Sequence, residues 1–285
     1  MKKKIYFEFL FLIILGALTS LSLPPYNYLI INFVTLSLFF IFIFKKKTSD
    51  NKKNFLYGWF FGFGYFLTNV YWIAISLTFD ENFKFLFPVA VILIPAFLAI
   101  FYGVMTYIFF LVNIKKLVSN LLLFSLLFGL IEFLRGSILT GFPWNLIAYS
   151  FSNNLEIIQF TSLIGTYAFN TLCISFFTSP AIFILRKNRK EIFICILFLL
   201  SPIILYMTGS SKIKTFQSSN LIENDYVIRV IGSKIDLDRF YGITNTASVI
   251  SELIELSKPD LETKTLFLWP EGIIPNINQS ELTEF

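Results

Sequence analysis

The chain has 285 residues, of which 56% are hydrophobic, 19% aromatic and 14% charged. Ordinary soluble domains carry about 25% charged residues, so this composition belongs to the membrane class. The net charge of +5 sits in clusters rather than in a basic stripe interleaved with exposed aromatics, which argues against a nucleic-acid partner. The complete absence of histidine removes every Ser-His or Cys-His nucleophile pair and most zinc sites, and neither a metal nor a cofactor is expected.

In chain order, Lys2-Lys3-Lys4 precedes an apolar run from Ile5 to Leu23 with no convincing small-residue cleavage site after it, which reads as a first membrane helix rather than a removed leader. Pro24-Pro25 marks a tight turn. Further spans are predicted over 26–44, 55–79, 85–112, 121–134, 157–185 and 192–208, seven in all. A crossing needs roughly 20 apolar residues, so the fifth and seventh are expected to borrow flanking residues. Pro88 and Pro95 fall near the start of the fourth, and a long mixed loop covers 136–154.

Loop charge sets the expected orientation. With the amino terminus inside, the inner segments hold fourteen Lys and Arg: Lys2, Lys3 and Lys4; Lys45, Lys46, Lys47, Lys52 and Lys53; Lys115 and Lys116; Arg186, Lys187, Arg189 and Lys190. The short outer loops hold only Lys84 and Arg135. Basic residues stay on the cytoplasmic side, so everything from Gly209 onward is expected outside the cytoplasm.

The segment 209–285 differs in character. Tyr226–Ile231 reads as a strand, 243–256 as an amphipathic helix and Thr265–Trp269 as a second strand, the beginning of an α/β domain with a parallel sheet. One helix cannot cover both faces of such a sheet, so the domain is expected to be incomplete and the chain a fragment or a shortened gene product. The resulting division is 1–208, a transmembrane helical domain, and 209–285, the start of an external domain.

Leu266-Phe267-Leu268-Trp269-Pro270-Glu271-Gly272-Ile273-Ile274-Pro275 is the stretch with the clearest chemical content. An apolar strand ends in an acid on a Pro/Gly turn, and α/β proteins place catalytic groups at strand ends. A Glu271 packed beside Trp269 would be partly desolvated and suited to base work. The plainer alternative is a solvated turn glutamate. Cys173 and Cys195 both lie in apolar stretches and read as small core residues.

Several of these stretches together resemble the bacterial apolipoprotein N-acyltransferases. Gly58-Trp59-Phe60-Phe61-Gly62-Phe63-Gly64-Tyr65-Phe66 followed by Tyr71-Trp72-Ile73 is similar to that family's third-span pattern. Glu132-Phe133-Leu134-Arg135-Gly136 followed by Thr140-Gly141-Phe142-Pro143-Trp144-Asn145 is similar to the loop after its fifth span. Trp269-Pro270-Glu271 with Pro275 is similar to the strand end that bears its catalytic glutamate. Ile231-Gly232-Ser233-Lys234 departs from the pattern, since the family usually shows Gln and Asn at that strand end.

The resemblance implies an inner-membrane, multi-pass enzyme with a nitrilase-like (carbon–nitrogen hydrolase) domain in the periplasm. It implies a ping-pong reaction: an acyl chain passes from a phospholipid donor to a cysteine as a thioester, then to the amino-terminal amine of a diacylated lipoprotein acceptor. Glu271 matches the family's glutamate and would be the general base. The lysine and the nucleophilic cysteine lie beyond Phe285 in the family's order, so this chain alone is expected to be inactive, and a monomer is expected.

Three further residues are singled out as substrate-binding candidates: Glu132, Arg135 and Trp144. Glu132 and Arg135 are three apart, share a helix face and can pair. The pair either positions a substrate loop or lipid head group, or simply caps its span. Trp144 either lines a lipid entrance or belongs, with Tyr149, to an interfacial aromatic belt. Gly58 and Gly62 read as a small-xxx-small packing pair, and Glu8 is given no function. The rival from another class is a multi-span transporter or structural membrane protein, disfavoured by the scarcity of ionisable groups at membrane depth.

Overall fold

The computed structural model describes residues 2–46, 50–112, 114, 116–186, 188–219, 226–232, 246–260 and 262–274. The chain divides into two compact units, Met1–Ser218 and Ser219–Phe285.

The first unit is helical throughout. Helices α1 (Lys2–Ser20) and α2 (Ile30–Lys45) are joined by a turn, and α3 (Asn51–Val70) runs on into a 3₁₀ segment, Tyr71–Thr78. A short 3₁₀ turn at Lys84–Leu86 leads into α4 (Phe87–Val112), and α5 (Leu117–Ser137) follows. After a loop and a 3₁₀ turn at Ile147–Phe151 come α6 (Leu155–Ile158), α7 (Thr161–Ile164), α8 (Thr166–Thr178), α9 (Pro180–Leu185) and α10 (Arg189–Ser218).

Five helical stretches among the described residues are long and apolar enough to cross a membrane: Asn51–Thr78, Lys84–Val112, Leu117–Ser137, Thr166–Leu185 and Arg189–Ser218. The expected seven are therefore not all matched by length. At 1.5 Å per residue, α2 rises only about 24 Å, short of a hydrocarbon core of about 30 Å. The reason lies between Ser20 and Ile30, where 3₁₀-type bonds such as Leu23 N–H to the Ser20 carbonyl (3.0 Å) turn the chain and consume residues that are apolar in sequence. The predicted sixth span is also shorter than expected. Gly165, at φ 78°, breaks the apolar run beginning at Ile157, so the long helix starts at Thr166. The fifth and seventh do extend beyond their apolar cores, to Leu117–Ser137 and Arg189–Ser218; the latter continues past the boundary expected at 208.

Aromatic rings fill the centre of the bundle. Phe39 stacks on Phe61 at 4.0 Å with planes 1° apart, and Phe124 meets Phe39 and Phe40 at 5.8 and 5.4 Å. In a lipid solvent, helices associate through packing and interhelical hydrogen bonds rather than through apolar burial. Glycines make the closest packing possible. A Cβ on Gly58 would lie 2.0 Å from the Tyr102 carbonyl oxygen, and one on Gly64 would lie 2.0 Å from that of Ile13, so α3 touches α4 and α1 backbone to backbone. The buried Thr106 hydroxyl adds a polar clasp at the same contact, accepting from Gly58 N–H (3.1 Å) and donating to the Asn54 carbonyl (2.8 Å).

In the second unit, β1 (Val227–Val230) and β2 (Thr265–Leu268) pair in parallel, with Val227 opposite Thr265 and Val230 opposite Leu268. Helix α11 (Thr246–Ser257) connects them, packing Val249 and Leu253 against Ile273. The strand–helix–strand order follows the sequence expectation; residues 243–245 and Ser233-Lys234 lie outside the described residues. Arg229 closes the carboxyl end of α11, donating to the carbonyls of Ser257 and Lys258 at 2.8 Å each, where exposed helix carbonyls favour a cation.

Candidate functional site

Helix α5 ends in a loop whose backbone is unusual. Leu139, Thr140 and Asn145 have φ of 54°, 71° and 59°, and Gly141 has 81°. Left-handed conformations at residues other than glycine cost on the order of 1–3 kcal/mol each and persist only where the surroundings over-determine them.

Arg135 supplies much of that constraint. Its guanidinium donates from one terminal nitrogen to the Phe142 carbonyl and from the other to the Trp144 carbonyl at 2.9 Å and to the Glu132 carboxylate. The Phe142 N–H returns a bond to the Arg135 carbonyl at 2.8 Å. The cation also lies 5.2 Å from the Phe66 ring centre and 5.6 Å from that of Phe142, within cation–π range. From α3, the Tyr65 hydroxyl donates to the Asn145 carbonyl at 2.7 Å.

The side chains of Glu132 and Arg135 are fully buried. As the i, i+3 spacing predicts, they pair, but neither faces an open surface. The second carboxylate oxygen of Glu132, the Nε of Arg135 and the Tyr102 hydroxyl complete no hydrogen bond within the described residues. Losing one member of a buried pair leaves the other as an uncompensated charge, which makes this centre intolerant of single changes.

The loop also lines a cleft of about 590 Å³. It is lined by Gly141, Phe142, Pro143 and Trp144 of the loop, by Trp72, Ile73, Ile75 and Ser76 of the 3₁₀ segment, and by Phe79 just beyond that segment. The two indoles stack, with centroids 5.4 Å apart and planes 15° apart. Trp144 is thus an exposed lining residue, stacked on Trp72 rather than standing alone. The Tyr149 hydroxyl donates to the Pro143 carbonyl at 3.5 Å, and burial pushes its phenol above the ordinary value. Sequence reasoning missed Trp72, Phe79 and Tyr65 as site residues. The Tyr71-Trp72-Ile73 pattern was the available signal, but nothing in the sequence says that it faces residue 144.

Glu271 belongs to the other unit. It sits on the turn after β2, next to Gly272 at φ 68°, and is exposed. The expectation of an acid desolvated by Trp269 is not met among the described residues. The Trp269 indole is engaged with α11 instead, donating from Nε1 to the Ser257 hydroxyl at 2.9 Å and packing against Val249, Leu253 and Ile273. Cys173 is buried in α8; Cys195 is buried in α10 and donates to the Ser179 carbonyl at 3.2 Å.

Residues 15–178, more than half of the chain, match the family described as the apolipoprotein N-acyltransferase N-terminal domain. The chain belongs to this family. The matched region contains the whole cleft and its buried pair. Among proteins named apolipoprotein N-acyltransferase, that of Rhodopseudomonas palustris is 27% identical over 274 residues, covering 91% of this chain and 50% of the relative. Those of Rhizobium rhizogenes and Brucella melitensis are 32% and 34% identical, covering 62% and 59% of this chain and 34% and 33% of the relatives. The chain spans half or less of the length of these three family members and corresponds to their amino-terminal portion.

Proposed function

We propose that this chain forms the membrane-embedded, amino-terminal part of an enzyme that moves a fatty acyl chain from a phospholipid to the amino-terminal cysteine amine of a diacylated lipoprotein. The observation that carries the reading is the apolar cleft lined by the stacked Trp72 and Trp144 indoles, on an apolar helical bundle, in a member of this family. Rigid aromatic walls give an acyl chain a large apolar contact at little entropic cost.

In this reading the bundle crosses the bacterial inner membrane seven times, α1 and α2 included, with the amino terminus cytoplasmic. Residues 209–285 then stand in the periplasm as the first strands and helix of a nitrilase-like domain. Glu271 acts as general base: it takes the proton of a thiol as the sulfur adds to the ester carbonyl, and the lysophospholipid alkoxide leaves with a proton. The thioester is then attacked by the acceptor amine, which releases the thiol. Neither Cys173 nor Cys195 serves as that thiol, since both are buried among the helices.

Phospholipids brominated on their acyl chains test the cleft. Bromine quenches tryptophan on contact, so emission from this protein in bilayers should fall in proportion to brominated lipid, and Trp72→Phe with Trp144→Phe should remove most of that effect beyond the general bilayer background. Equal quenching in the double variant would remove the cleft from the reading. Labelled donor phospholipid tests the thiols: a thioester trapped on Cys173 or Cys195 would overturn the assignment of roles.

A further inference from the structure

We propose that Arg135 is the positioning residue of this cleft: without touching the lipid, its guanidinium fixes the backbone of Phe142–Trp144 and thereby holds the Trp144 indole against Trp72. That this cleft takes an acyl chain rests on the function proposed above; the positioning role of Arg135 involves only protein atoms.

The geometry offers the arginine no other task. Its side chain is sealed from solvent, so it cannot meet a head group entering the cleft. Its two terminal nitrogens reach three oxygens: two are carbonyls of the loop, two residues apart, and the third is the Glu132 carboxylate. A group that only neutralised Glu132 would not need to span both carbonyls. Those carbonyls belong to a loop that enters and leaves through left-handed residues, Leu139 to Gly141 on one side and Asn145 on the other. Such a backbone does not select its own conformation; something outside must choose it. Arg135 grips the loop at Phe142 and Trp144, and Tyr65 grips it at Asn145, so the residue that carries the exposed indole is held from both sides.

Glu132 acts on the arginine rather than on the loop. It supplies the counter-charge that a buried guanidinium needs, and its bond to one terminal nitrogen orients the fork toward the loop. Lysine cannot substitute, because an ammonium on a flexible stem is a point donor without the planar fork that reaches separated acceptors.

A stacked pair of indoles produces an exciton couplet in far-ultraviolet circular dichroism, which reports loop position independently of lipid. In the full chain in lipid nanodiscs, the couplet is defined as the signal lost on Trp72→Phe. Arg135→Lys should lose it while the helical signal is retained. A folded Arg135→Lys protein with the couplet intact would overturn the proposal. If Arg135→Lys fails to fold, Glu132→Gln/Arg135→Gln, which leaves no unpaired buried charge, takes its place. Loss of the couplet in that variant supports the proposal, and its retention overturns it. If both variants fail to fold, Arg135 is a structural residue of the bundle and the proposal falls. Brominated-lipid quenching in the unmodified protein separates the two readings: a couplet that depends on Arg135 without quenching leaves the positioning role standing and removes the lipid.

Discussion

Trp72 and Trp144 lie 72 residues apart in the chain and stack at 5.4 Å, one on the segment that continues α3 and the other on the loop that follows α5. Both indoles remain about half exposed, so the pair is a surface of the cleft rather than part of the core. An aromatic pair of this kind contributes about 0.5–1.5 kcal/mol beyond its buried area. Trp144→Ala should destabilise the bundle by more than that amount, since the buried area is lost as well, and should shift the emission of Trp72 to the red, which steady-state fluorescence reads in a Trp59→Phe/Trp269→Phe background.

Glu132→Ala should be far more costly. It leaves the Arg135 guanidinium buried without its counter-charge, and breaking a buried pair from one side costs about 3–5 kcal/mol. Reversible unfolding in mixed micelles measures this. A cost below that of an exposed ion pair would mean that water already reaches the centre.

Gly58→Ala places a methyl group where the Tyr102 carbonyl oxygen stands and where the Thr106 hydroxyl clasps α3. The obstruction is backbone, so the helices must separate; overpacking of this kind costs about 1–3 kcal/mol. Gly232→Ala, which meets nothing within 4 Å, is the matched control. Thermal melts of the two variants should differ in the bundle transition.

Asp50 caps α3, accepting from the Lys52 and Lys53 N–H groups at 3.0 and 3.4 Å and pairing with the Lys53 ammonium at 3.2 Å. The side-chain bond from Lys53 is the largest cause holding its carboxyl below the ordinary value. A depressed folded value means that the cap's contribution is present above the unfolded value and is lost as pH falls through the folded one. Amide exchange in the first turn of α3 should therefore accelerate in that acid window, and Asp50→Ala should remove the pH dependence. Asp50→Asn should keep the cap and lose the titration.

In the second unit, Trp269→Phe removes the bond to the Ser257 hydroxyl, itself buried and donating to the Leu253 carbonyl at 2.6 Å. A lost intramolecular hydrogen bond of this type costs about 0.5–1.5 kcal/mol. Faster amide exchange at Gly272 and Ile273 would show the turn that carries Glu271 loosening.

The residue pattern made some of this legible and hid the rest for identifiable reasons. Spacing alone pairs Glu132 with Arg135, because helix geometry brings i and i+3 together. It says nothing of the Phe142 and Trp144 carbonyls, because an arginine that reaches backbone leaves no sequence trace and the loop's path depends on left-handed residues such as Leu139 that no propensity favours. Gly58 and Gly62 announce a close helix contact, while the partner, Tyr102, is set by the fold. Hydropathy counts apolar residues without regard to backbone, so it extends the first two helices through a turn and carries the sixth span across Gly165. Around Glu271 the turn and both strands were readable; the indole beside it was not, since its hydrogen bond goes to Ser257, twelve residues upstream.

The backbone contacts at Gly58 and Gly64 have a mechanical corollary. With carbonyl oxygens seated where side chains would be, α1, α3 and α4 have no slack to roll or part and must travel as a single slab.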